Sequence, residues 1–124
     1  MTKFTKIEPY LYYPDGRAAL DWLQSTFGWG ETFTVEEDGK VTEGSVSLGD
    51  SFVHVSGGRT PDDGNGAGVL NIITVHDVDA LYEHIRSTGV ELAAPKDEPY
   101  GPRSINVTDP WGYRWYFWQG HAVY

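Results

Sequence analysis

With 124 residues, 40% of them apolar, the chain has material for one domain with a real core but not for two independent ones. Nine Lys and Arg against eighteen Asp and Glu give a formal net charge of −9, which excludes the clustered basic surface that nucleic acid requires and suits a cationic ligand. Zero cysteines exclude disulfides and thiolate chemistry; with no long apolar run and no basic leader, no membrane partner is expected and the default location is cytoplasmic.

Lys6 to Tyr13 reads as a strand, with Ile7, Pro9, Leu11 and Tyr13 on one face and Glu8, Tyr10 and Tyr12 on the other. Pro9 lacks an N–H and predicts an edge or an end of pairing. Asp15 caps a helix over Gly16 to Thr26, with Ala19, Trp22, Leu23 and Thr26 on one stripe, and Gly28 ends it. Glu31 to Glu36 and Val41 to Leu48 are strands joined across Asp38-Gly39, a pair tolerant of positive φ; Gly49-Asp50 turns the chain into a fourth strand, Ser51 to Ser56.

Gly57 to Gly68 is rich in Gly and Asp and reads as a linker. It lacks the Gly-Lys-Ser/Thr ending of a phosphate cradle and the alternating ligands of a calcium loop. The pattern then restarts. Val69 to Val75 is a strand, and Asp77 caps a helix with Val78, Leu81, Tyr82 and Ile85 on one stripe, closed by Gly89. Strands follow at Glu91 to Ala94, Arg103 to Thr108 and Tyr113 to Trp118, the last two joined by Asp109-Pro110-Trp111-Gly112.

Shifted by 62 residues, Asp15 meets Asp77, Ala18 meets Ala80 and Leu23 meets Ile85. The chain therefore reads as an α+β fold of two tandem βαβββ modules (5–57 and 68–119, linker 58–67). Curved mixed sheets would surround a cavity, with the helices outside. The alternation assigns to the cavity Glu8, Tyr10, Tyr12, Leu70, Ile72, Thr74, Ser104, Asn106, Thr108, Arg114, Tyr116 and Trp118, and to the core Trp22, Trp115 and Phe117.

The repeat carries recognisable motifs: Pro-Tyr-Leu-Tyr-Tyr-x-Asp-Gly at the start, Val-x-Asp-Val-Asp-Ala before the second helix, and Pro-Tyr-Gly-x-Arg-(x)5-Asp-Pro-x-Gly-x-Arg-Trp-x-Phe-x-Gln at the end. From about Ile7 to Gln119 the chain resembles the vicinal oxygen chelate superfamily, the group of glyoxalases, bleomycin-resistance proteins and extradiol dioxygenases, in its small bacterial glyoxalase-like members. For the enzymes of that group the resemblance implies a divalent metal held by His and Glu on cavity-facing strands, stabilising a developing oxyanion. The corresponding positions here are Glu8, either Val53 or His54, Leu70 and Tyr116. Leu cannot ligate and a neutral phenol ligates poorly, so no metal and no cofactor are expected. His76 and His84, beside or on the second helix, and His121 in the terminal tail read as solvated.

Two functions from different classes follow. One is a metal-free binder of an aromatic or cationic small molecule, as in the bleomycin-resistance branch and consistent with antibiotic sequestration; its candidate contacts are Glu8, Tyr10, Tyr12, His54, Leu70, Tyr100, Arg103, Asn106, Tyr116 and Trp118. The other is a metal-dependent lyase, isomerase or dioxygenase with a ligand set altered around Glu8 and His54. A third reading keeps the fold without catalysis. Glu8 in an apolar setting could serve as a general base, against the plainer reading of a carboxylate hydrogen-bonded to Tyr116 or Arg103. Open sheet edges predict a homodimer.

Overall fold

The computed structural model describes residues 2–59 and 69–123; the segment 60–68, which holds most of the expected linker, lies outside the described residues. The chain divides into two units, Met1–Pro61 and Asp62–Tyr124, each with one helix and one four-stranded mixed sheet. Two tandem βαβββ modules thus build the α+β fold.

In the first module the elements are β1 (Tyr10–Tyr12), α1 (Gly16–Phe27), β2 (Thr32–Glu37), β3 (Lys40–Leu48) and β4 (Ser51–Ser56). The sheet order is β1-β4-β3-β2, with β1 parallel to β4 and the other pairs antiparallel. Asp15 stays extended and its carboxylate accepts the Ala18 N–H at 3.0 Å, while Gly28 closes the helix in the left-handed region at φ 70°. The helix buries Gly16, Ala19, Leu20, Leu23, Thr26 and Phe27 against Val41, Val46, Val53 and Val55 of the sheet. Gly44 permits this approach: a Cβ there would stand 2.6 Å from the Leu20 Cδ1. Trp22, expected in the core, is half-buried and packs edge-on against Phe27.

The second module repeats the order with β5 (Asn71–Thr74), α2 (Val78–Ser87), β6 (Lys96–Asp97), β7 (Arg103–Thr108) and β8 (Arg114–Gln119), arranged β5-β8-β7-β6. Asp77 accepts the Ala80 N–H at 3.0 Å, and the Gln119 side chain accepts the Val78 N–H at 2.9 Å, so β8 helps to hold the helix start. Trp115, Phe117, Ile105, Val107 and Tyr113 supply most of the core, whereas α2 contributes only Val78 and Ile85 as fully buried residues. Between β7 and β8, the Asp109 carboxylate accepts the N–H groups of Trp111 and Tyr113 at 3.0 Å and the Trp115 indole N–H at 3.1 Å.

Three sequence expectations need correction. The second strand of the second module is Lys96–Asp97, not Glu91 to Ala94. Arg103, opposite Asp97 in the register, grips its carboxylate at 3.3 Å, and the turn closed by the Glu98 N–H on the Pro102 carbonyl fixes that pairing. The first strand is shorter than Lys6 to Tyr13, because Pro9 offers only its carbonyl, which accepts the His54 N–H at 2.9 Å. Ile7, expected on one strand face with Leu11 and Tyr13, therefore lies before the paired strand and is 91% exposed.

Candidate functional site

Paired strands fix which side chains share a face. The parallel register sets Tyr10 beside His54, and the antiparallel one sets His54 beside Ser45, which stands opposite Phe33. Val53 is buried under α1, so the fourth-strand ambiguity resolves to His54 on the face turned away from the helix. Tyr10, Tyr12, Phe33, Val35 and Phe52 are exposed on that face, a concentration of aromatic surface on one side of one module.

At its edge the His54 Nε2 lies 2.7 Å from the Glu8 Oε1. An ionised carboxylate only accepts, so Nε2 carries the shared proton. The second carboxylate oxygen faces Lys6 Nζ at 3.7 Å; that ammonium also donates to the Asp50 carbonyl at 2.7 Å and lies 5.2 Å from the centre of the Phe52 ring. The His54 hydrogen bond, against partial desolvation and with help from the Lys6 charge, holds the Glu8 carboxyl below its ordinary value. A metal needs several donors aimed at one point. Here the two donors engage each other, an ammonium faces the remaining oxygen, and no cluster of three or more His, Asp and Glu able to hold an ion occurs among the described residues. This donor set does not fit a divalent ion.

The corresponding face of the second module carries Leu70 and Ile72, both exposed, with Asn106 beside Tyr116 and Ser104 beside Trp118. The Tyr100 ring lies 5.9 Å from that of Trp118, whose indole N–H has no partner among the described residues. The structure brings Glu8 to His54. Arg103 shares the helix-facing side of β7 with Ile105 and Val107, and grips both Asp79 carboxylate oxygens at 2.9 Å. His76, His84 and His121 are exposed. The sequence reading missed Lys6, Phe33 and Phe52. Stepping by two from His54 reaches Phe52, but no local pattern announces Lys6, whose partner Asp50 is 44 residues away.

A family model described as the Glyoxalase/Bleomycin resistance protein/Dioxygenase superfamily matches residues 4–117. No curated protein matches the chain. Among solved structures, TioX from Micromonospora sp. ML1 superposes with a TM-score of 0.78 and 25% identity, covering 95% of this chain and 100% of that one. A bleomycin-binding protein from bleomycin-producing Streptomyces verticillus, complexed with copper(II)-bleomycin, gives a TM-score of 0.71 at 24% identity over 98% and 100% of the two chains. The bleomycin resistance determinant encoded on the transposon Tn5 gives 0.73 at 15% over 95% and 99%. The last two likenesses are of fold alone.

Proposed function

Because the chain belongs to the glyoxalase/bleomycin resistance protein/dioxygenase superfamily, we propose that it is a metal-independent binder of a flat aromatic or cationic small molecule, with sequestration of an antibiotic as its use. The observation that carries this reading is the aromatic face of the first module, where Tyr10, Tyr12, Phe33 and Phe52 are exposed beside the Glu8 and His54 pair. Aromatic faces stack planar groups and attract cations, and an overall charge of −9 favours the approach of a cation. Tyr100, Asn106, Tyr116 and Trp118, together with Leu70, offer a second aromatic and polar set on the other module. Both β2 and β6 leave an outer strand edge, which supports a homodimer.

Thermal unfolding of chelator-stripped protein with Mn, Fe(II), Co, Ni and Zn tests metal independence, since an ion that binds the native state raises the midpoint. No shift is expected. A rise with one ion that disappears in Glu8→Ala or His54→Ala would overturn the reading in favour of metal-dependent chemistry. Titration with metal-free bleomycin, chosen because the Streptomyces verticillus protein is complexed with its copper form, and then with planar aromatic cations, tests the ligand class through tryptophan fluorescence. Absence of binding by every member of that set would leave the fold without this function.

A further inference from the structure

Two residues beyond His54 on β4, the same sheet contains a cavity of about 370 Å³ whose lining includes Val35, Glu37, Glu43, Ser56, Gly58 and Arg59. Its size falls within the range of small-molecule sites, roughly 300–1,000 Å³. Three features point to an occupant. Ser56 is 3% exposed and lines the cavity, and its hydroxyl makes no hydrogen bond among the described residues, so it is available to a ligand there. Glu43 accepts the Tyr10 hydroxyl on one oxygen at 3.1 Å, and neither Glu43 nor Glu37 forms an ion pair among the described residues. Opposite charge stands on the same cavity. Gly58, at φ 74°, donates to the Pro14 carbonyl, and the Arg59 N–H to the Tyr13 carbonyl, so the chain leaving β4 is tied down and the Arg59 guanidinium lies 5.1 Å from the centre of the Tyr12 ring.

A simple cation would leave Arg59 facing a like charge, and a simple anion would face two carboxylates. A ligand with both charges satisfies the lining. We propose that this cavity binds a small zwitterion, an amino-carboxylate of amino-acid or short-peptide type. Its ammonium is received by Glu37, Glu43 and the Ser56 hydroxyl, and its carboxylate by Arg59, with Val35 against the connecting methylenes. This goes beyond the aromatic-ligand reading and stands without it.

The test is an amide-resolved NMR titration with three probes of equal length: 6-aminohexanoate, hexylamine and hexanoate. The zwitterion should bind about tenfold more tightly than either single-charge analogue, and its shifts should centre on Ser56, Gly58 and Arg59. Glu43→Gln and Arg59→Gln should each weaken it about three- to tenfold, with an unchanged amide spectrum elsewhere as the control for folding. Hexylamine should bind Arg59→Gln no more weakly than the parent, because the substitution removes a like charge. Glu8→Ala should leave 6-aminohexanoate binding within about twofold, so failure at the aromatic face and failure here are separable. The proposal is overturned if the zwitterion binds no better than its analogues, if the shifts centre on Glu8 and His54, or if neither variant weakens it.

Discussion

The two modules have the same skeleton and opposite divisions of labour. Asp15 and Asp77, 62 residues apart, cap their helices through the same contact, and the pairing of Tyr10 with His54 recurs as Ile72 with Tyr116. By the same offset Glu8 corresponds to Leu70 and His54 to Tyr116, so a hydrogen-bonded carboxylate and imidazole in one copy are replaced by an aliphatic chain and a phenol in the other. The core is divided differently too: α1 buries six residues where α2 buries two, and the second module compensates with Trp115 and Phe117 on its last strand. A repeat preserves caps and register because backbone geometry depends on them, while side chains on either face are free to diverge.

That contrast can be broken most strongly in the second module. Trp115→Ala is expected to cost about 4 kcal/mol in a guanidinium titration, since it empties the largest fully buried site and removes the indole donor from an Asp109 oxygen. Asp109→Ala should cost about 3 kcal/mol, because it frees two turn N–H groups and a buried indole donor at once. In the first module the helix should be the sensitive element. Leu20→Ala is expected to lose about 3 kcal/mol, and a loss below about 1 kcal/mol would mean that the close approach over Gly44 contributes little. The caps should remain equivalent, with Asp15→Ala and Asp77→Ala each costing about 1 kcal/mol in the same assay.

The skeleton was legible because it is local. Alternation placed Trp115 and Phe117 inside, and the two Asp caps and the Asp38-Gly39 turn announced themselves within a few residues. The offset recovered the modules because the repeat preserves those same local signals. What escaped depended on distant partners. Whether Val53 or His54 faced outward turned on a parallel pairing with a strand more than forty residues earlier. The sixth strand moved to Lys96–Asp97 because Arg103 lies opposite, and Leu20 joined the core because Gly44 sits beneath it. Lys6, third member of the Glu8 and His54 group, is held by Asp50, which no reading of its own neighbourhood could supply.

The smallest expected effect isolates the difference at Glu8 and Leu70. Glu8 is held below its ordinary value of 4.5 by His54 first and Lys6 after it, so the folded chain keeps this carboxylate ionised to lower pH than the unfolded chain does. Its contribution is therefore fully present above 4.5 and is lost as pH falls through the lower folded value. Asp79 behaves alike through Arg103, its contribution present above 3.8 and fading below it, so each module carries one acid-sensitive contact, on the open face in the first and at the helix in the second. As pH is lowered from about 6, unfolding midpoints should fall less steeply below 4.5 for Glu8→Gln than for the parent, and Asp79→Asn should flatten the limb below 3.8. Leu70 has no proton to exchange, so Leu70→Ala should shift the whole curve without changing its slope. Parallel curves for Glu8→Gln and the parent would mean that the carboxylate and His54 are not joined in solution, and the asymmetry between the two open faces would then reduce to the aromatic side chains alone.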